Sequence, residues 1–395
     1  MQQALTGIRV LDLTRVLAGP YCTMLLADMG AEVVKIEQPV LGDDSRRFGP
    51  FVNGESAYYM NLNRNKKGVT LHLKGEGKAL FLRLAKQADV VVENYRPGTM
   101  EKLGLGYSVL HEVNPRLVYC SISGFGHTGP YRDRPGYDII AQAMGGLMST
   151  TGWEGGEPTR SGTAMGDVLA GLSAAIAILA ALRHAERTGE GQAVDIALVD
   201  SVISSLEIIN QIYLAEGRVP TRIGNRYESC YPYDSFRTKD GSIVIGAAND
   251  KLWQLTCEVM ERPDLAAEPR FATNPQRVAL HAEIKPLVEA WTRTQTSQQA
   301  VELLLGTGVP AAPINTIDKI VRDEHFAKAR GMFVEIQHPK AGRTTVTGSQ
   351  LKFSRTAAER YAPAPLLGQD NAAVYGALLG LGETALQALS QNGVL

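Results

Sequence analysis

Five short runs of branched and apolar residues, IRVLDLT, AEVVKIE, DVVVENY, RLVYCSIS and AVDIALVD, recur through the first half of the chain. Segments with helical spacing, KALFLRLAKQA and MEKLGLGYSVLHEV among them, lie between these runs. That alternation constrains the fold more than any other feature. Strands joined by helical crossovers pair in parallel, and a parallel sheet is buried on both faces. The reading is therefore an α/β protein with a Rossmann-like large domain built on a parallel sheet. After RVPTRIGNRYESCYPY, rich in turn formers, GSIVIGAAN reads as a strand and DKLWQLTCEVM through AVELLLGTG as mainly helical. This gives a smaller α/β domain over 225–325. FVEIQHP, TTVTGSQLKFS and a last helix near 370–392 return to the large domain, which takes 1–200 and 330–395, with linkers at 201–224 and 326–329. A chain of 395 residues exceeds what one hydrophobic core usually holds.

Charge narrows the partners. Forty Lys and Arg stand against 41 Asp and Glu, a net charge of −1, which argues against nucleic acid and against a membrane surface. An anionic ligand must then be met by a local cluster. Cys22, Cys120, Cys230 and Cys257 lie far apart without paired spacing, so neither a metal site nor a disulfide framework is expected. MQQALTG has no basic stretch leading into an apolar one, and a reducing cytoplasm is the expected setting.

TAMGDVLAGL carries Asp167 at the head of an apolar, alanine-rich run from Val168 to Leu182. That run is shorter than the about 20 apolar residues a membrane span needs. Read locally, Asp167 is a helix N-cap, since aspartate is a favoured cap and its charge suits a helix N-terminus. In SGFGHTGP, Gly124, Gly126 and Gly129 have dinucleotide-fingerprint spacing, but neither the helix nor the acidic residue that motif requires follows. The glycines instead mark a loop whose backbone approaches something closely, and His127 in it reads as a base or as a polar turn residue, the turn being favoured because nothing local orients the ring. NRNKK, with Arg64, Lys66 and Lys67, is either a solvated turn or a phosphate site. ENYRPGTMEK sets Arg96 and Lys102 after the strand DVVVENY, at the end where open α/β sheets gather ligands.

In their order and spacing, GIRVLDLTRVLAGP, GAEVVKIE with GDDSR, NRNKK, VVENYRPG, NPRLVY with SGFGHTGP, GTAMGDVLAGL and PLLGQ resemble the family III CoA-transferases, the CaiB/BaiF family, over nearly the full length. The resemblance implies that Asp167 is a nucleophile. Its carboxylate attacks a donor thioester to give a mixed anhydride, and the released CoA thiolate converts this to an aspartyl-CoA thioester. Coenzyme A and acyl-CoA are then substrates, and no cofactor is permanently bound. By the same resemblance CoA lies along Val16, Leu17 and Ala18, then Gln38, then Leu71, His72, Leu73 and Lys74, then Asn94, Tyr95, Arg96 and Lys102, with Tyr137 and Asp138. Phe48, Arg46, Tyr59, Arg226 and Tyr227 fall to the acyl and acid substrates. An interlocked homodimer is also implied.

The chain departs from the formyl-CoA transferase pattern at three places. Leu17 replaces a glutamine, Gln38 replaces an arginine, and GNRYESCYPY replaces a glycine-rich shielding loop, so any shielding of the intermediates falls to Tyr227, Tyr231 or other residues. The motifs look closest to enzymes that move CoA between dicarboxylates, or to the acetyl-CoA:oxalate type. A second carboxylate needs a cation inside a site that excludes water. Arg46, Arg47, Arg160 and Arg226 are available near the motifs, and Arg226 is favoured because it sits in the replaced loop. Two other readings are an α-methylacyl-CoA racemase and a non-catalytic acyl-CoA binding protein. The racemase needs a histidine base where this chain has Tyr137, and a phenol is a poor base at neutral pH.

Overall fold

The computed structural model describes residues 2–357 and 361–395. Packing divides the chain into two units, one of Met1–Met148, Arg160–Arg218 and Asp323–Leu395, the other of Ser149–Thr159 and Val219–Arg322.

The first unit is built on a six-stranded sheet in which all pairings are parallel. Its strands are β1 (Arg9–Asp12), β2 (Glu32–Glu37), β3 (Lys67–Thr70), β4 (Val90–Glu93), β5 (Val118–Ser123) and β6 (Ala193–Ala197). They lie in the order β3-β2-β1-β4-β5-β6. The chain thus runs outward from β1 through β2 to β3, then returns to β4 on the other side of β1. Successive strand residues face opposite sides, so Val90 and Val92 join one core and Val91 the other. The first core holds α1 (Ala18–Asp28) and the second α2 (Glu76–Ala85). The helix α3 (Asp138–Met144) precedes α4 (Met165–Thr188), which joins α1 in the first core through Ala170, Ala174, Ile178 and Ala181.

Three sequence expectations change here. NRNKK is neither a solvated turn nor a phosphate site: it leads into β3, and the Arg64 and Lys66 side chains are buried against Asp28 and Asp12 at 2.6 and 3.0 Å. The long apolar helix is not too short for a membrane. At 24 residues α4 is long and apolar enough to cross one by length and composition alone. The last helix is two, Asn371–Leu379 and Glu383–Gln391, broken after Gly380, whose φ of +68° suits glycine.

The second unit carries a three-stranded antiparallel sheet of β7 (Tyr233–Arg237), β8 (Ser242–Gly246) and β9 (Ala311–Pro313), in the order β9-β8-β7. Helices Asp250–Val259, His281–Thr292 and Ser297–Gly306 enclose its core around Phe236, Trp253 and Phe271.

Candidate active site

Strand order reverses between β1 and β4, which is where open α/β sheets place ligands. Arg15–Ala18 after β1, Asn94–Pro97 after β4, and Ser123 and Gly124 at the end of β5 line a cleft there, of about 180 Å³, with Arg134–Tyr137, Asp167 and Leu198.

The turn after β1 is over-determined. Asp12 accepts the Thr14 N–H and hydroxyl at 2.9 and 2.5 Å, Asn94 accepts the Arg15 N–H at 2.9 Å, and Asp43 accepts the Val16 N–H at 3.1 Å. Val16 is thereby held at φ +68°, a conformation a β-branched residue adopts only when its surroundings impose it. Beside the turn lies a buried ionic layer in which Lys35 pairs with Asp43 at 2.9 Å and Lys66 with Asp12. Burial works against the Asp43 carboxylate, yet the Lys35 ammonium holds its pKa well below the usual range. Burial pushes Lys66 down to about 8 despite the opposing Asp12 charge.

The glycine loop does approach another backbone closely. A Cβ on Gly124 would stand 2.6 Å from the Gly136 Cα, and one on Gly136 2.5 Å from the Gly124 Cα, so two walls of the cleft meet where neither tolerates a side chain.

Asp167 is not a cap. Helix α4 begins at Met165 with Ala164 in the N-cap position and no side-chain cap, which puts Asp167 in the third helical place. The capping work comes from α3, where Asp138 accepts the Gly166 N–H at 2.8 Å and, through its other oxygen, the Gln142 side-chain amide at 2.8 Å. Asp167 itself is half-buried in the cleft, and its carboxylate takes part in no hydrogen bond or ion pair among the described residues. Burial, and then the Asp138 charge, push its pKa up to about 7. The cap expected from local sequence is therefore not formed, and burial works against the charged form of this carboxyl.

The residues ascribed to CoA fall into two groups. Val16, Leu17, Ala18, Asn94, Tyr95, Arg96 and Tyr137 line the Asp167 cleft. Gln38, Leu71, His72, Leu73 and Lys74 line a second cleft, of about 260 Å³, and Tyr95 belongs to both. Lys102 is exposed and lines neither, and Asp138 turns its carboxylate to Gly166 and Gln142.

Two residues assigned to the substrates have partners within the protein. Arg46 is spent on Glu37 through bonds of 2.7 and 2.6 Å and on the Tyr59 hydroxyl at 2.6 Å, while Tyr59 is buried and donates to Glu37 at 3.1 Å. Burial and then the charges of Asp167, Asp43 and Asp138 push the phenol of the neighbouring Tyr58 up to about 12, and its ring meets Phe48 edge-on at 5.9 Å. Arg226 and Tyr227 belong to the second unit, where Tyr227 packs against Tyr233 at 5.4 Å. Tyr231 is fully buried in that unit's core, which removes it as a shield. Arg47 pairs with Asp44 at 2.7 Å, and Arg160 donates to the Ser161 carbonyl at 2.9 Å.

Sequence reasoning also passed over Glu93 and Arg134. Glu93 is buried at the end of β4, where it accepts the Tyr95 N–H at 2.7 Å and the Tyr119 hydroxyl at 3.2 Å, and burial pushes it up to about 8. Its only advance signal is a glutamate closing an apolar strand. No group of three or more His, Cys, Asp or Glu among the described residues is placed to hold a metal ion.

The sequence pattern of the family described as CoA-transferase family III matches residues 5–371. The chain is 40% identical over 393 residues to a succinyl-CoA:glutarate CoA-transferase of Mus musculus, covering 99% of this chain and 90% of that protein. It is 45% identical over 375 residues to a succinyl-CoA:mesaconate CoA-transferase of Haloarcula marismortui, covering 92% of this chain and 93% of the relative. The crystal structure of a CAIB/BAIF family protein from Brucella suis superposes with a TM-score of 0.85 at 39% identity, over 96% of this chain and 100% of that one.

Proposed function

This chain belongs to CoA-transferase family III, and from that premise we propose that it moves CoA from a small acyl-CoA, succinyl-CoA foremost, to a small dicarboxylate through covalent intermediates on Asp167. The observation that carries this reading is a carboxyl group without hydrogen-bond partners, set in a cleft rimmed by arginines at the point where strand order reverses.

The ionised Asp167 attacks the thioester carbonyl, the C–S bond breaks, and CoA leaves as thiolate, giving a mixed anhydride. The thiolate attacks the aspartyl carbonyl and frees the donor acid, leaving an aspartyl-CoA thioester. The acceptor carboxylate then runs both steps in reverse. Each step exchanges one anionic nucleophile for another, so no net proton is required, and covalent relay divides one difficult exchange into easier ones. The raised pKa makes Asp167 a stronger nucleophile once ionised, at the cost of a smaller ionised fraction near neutrality. Leu17 and Ala18 line the cleft at the start of α1, where helical N–H groups lack partners within the helix and suit a developing oxyanion. Exchange of labelled succinate into succinyl-CoA is the test, with glutarate, mesaconate and oxalate as further acceptors. Rapid α-deuteration of a 2-methylacyl-CoA in deuterated water, lost in Tyr137→Phe, would support the racemase reading instead.

We also propose that two copies interlock in the cytoplasm. In support, Ile176 on α4, Ile203 in Leu198–Ser205, and Tyr213 and Leu214 in Glu207–Glu216 leave an apolar set exposed that a second copy would cover. A dimeric mass by light scattering without detergent supports this, and recovery in the membrane fraction contradicts it.

A further inference from the structure

We infer that Arg134 selects a dicarboxylate acceptor by pairing with the carboxylate that does not react. The inference rests on the transfer at Asp167 proposed above and adds the residue that reads the acid.

A diacid brings a second negative charge into a cleft that already holds Asp167 and Asp44. The like charges of Asp167 and Asp44 repel it, so a diacid is favoured where a cation that no protein carboxylate has claimed can pair with it. Arg15, Arg96 and Arg134 line the cleft. Arg15 is tied to Asp44 at 3.2 Å. Arg96 lies in the turn that meets the second cleft at Tyr95, the side where Gln38 and Leu71–Lys74 gather, and this assigns it to CoA. Arg134 remains. It forms no ion pair or hydrogen bond through its side chain among the described residues, and its guanidinium carbon sits 3.8 Å over the Tyr131 ring. Tyr131 is itself backed edge-on by Phe125 of the glycine loop at 6.0 Å.

A guanidinium over a ring keeps its N–H groups for other partners, and no side-chain hydrogen bond or ion pair among the described residues occupies those of Arg134, which can bind a carboxylate through two parallel hydrogen bonds. The segment that carries it is fixed at two points. Gly136 abuts Gly124, and Asp138 bonds the Gly166 N–H, one residue before Asp167. Arg134 is therefore held by the same framework that holds the reacting carboxylate.

The experiment measures kcat and KM for glutarate and for the monoacid valerate, with one donor, in the wild type and in Arg134→Ala, Arg134→Lys, Tyr131→Phe, Tyr131→Ala and Arg226→Ala. Arg134→Ala raises the glutarate KM about 10- to 100-fold and changes valerate kcat/KM by less than about threefold. Arg134→Lys restores only part of the loss, because an ammonium offers no fork; Tyr131→Phe matches the wild type, and Tyr131→Ala falls between. Equal losses for both acids in Arg134→Ala overturn the inference, as does a glutarate-selective loss in Arg226→Ala but not in Arg134→Ala. Those outcomes leave transfer at Asp167 standing. A wild type that does not distinguish glutarate from valerate refutes the dicarboxylate reading itself.

Discussion

The ionic layer beside the Thr14–Ala18 turn and the cleft that the turn lines use the same residue types to opposite ends. In the layer every buried carboxylate has a cation: Asp12 has Lys66, Asp43 has Lys35 and Glu37 has Arg46. Hydrogen bonds fill the remaining valences, from Thr14 and Thr23 to Asp12 and from Ser45 to Asp43. In the cleft, Asp167 has neither cation nor donor, and its neighbour Asp138 carries the same charge. A satisfied buried charge is scaffold, because either partner alone would be an uncompensated ion. An unsatisfied one stores free energy that chemistry can release, and activity and stability then pull apart.

The sharpest way to break this contrast is Asp167→Asn. Transfer activity falls by at least about four orders of magnitude, as for loss of a covalent nucleophile, while the fold is stabilised. The sign follows from linkage. Folding raises the Asp167 pKa from 3.8 to about 7, so the stability it contributes is present below pH 4 and is lost as pH rises through 7. Thermal melts of wild type and Asp167→Asn should coincide near pH 4 and diverge in favour of the variant by pH 8, by about 2–4 °C per kcal/mol recovered. A variant less stable than the wild type at pH 8 contradicts the contrast.

In the layer the opposite holds. Lys66→Met leaves Asp12 buried without its partner and should cost about 3–5 kcal/mol by denaturant melts. Activity should fall only as the folded fraction does. A near-neutral result would show that Asp12 is not held as an ion.

Between these lies Gly136→Ala. Its methyl group meets Gly124 backbone, so one wall must move, and kcat/KM should fall about 10- to 100-fold with little change in melting temperature. Smallest is Asp138→Asn, which keeps an acceptor for Gly166 but removes the like charge. The acid limb of the kcat/KM profile, rising through about pH 7 in the wild type, should shift to lower pH by less than one unit, since burial is the larger cause. An unchanged limb would separate Asp138 from the titration of Asp167.

What the sequence made legible follows the same division. The runs that became β1, β2, β4 and β5 are apolar because both sheet faces are covered, whereas the edge strand β6 buries one face only, through Val194 and Ile196; apolar periodicity reports both directly. Strand β3 was missed because its first residue, Lys67, closes the basic run NRNKK, whose charges pair with Asp12, Asp28 and Glu32, residues distant in sequence. Asp167 reads as a cap because capping rules see only neighbours, whereas the Gly166 N–H is satisfied by Asp138, 28 positions earlier. Its role came through the ordered motifs of a family resemblance. Arg46 and Tyr59 look available in sequence and are bonded to Glu37 in the fold, through pairings that join residues 9 and 22 positions apart.

The central claim is that the unpartnered Asp167 carboxyl becomes covalently activated. Incubating the enzyme with succinyl-CoA, adding borohydride, digesting and sequencing the peptides by mass spectrometry tests it directly, since hydride reduces an anhydride or thioester carbonyl but leaves a free carboxylate untouched. The account predicts a primary alcohol in place of the Asp167 carboxyl, dependent on succinyl-CoA and absent in Asp167→Asn. Label on any other residue, or an unmodified Asp167 in an enzyme that is turning over, would contradict it.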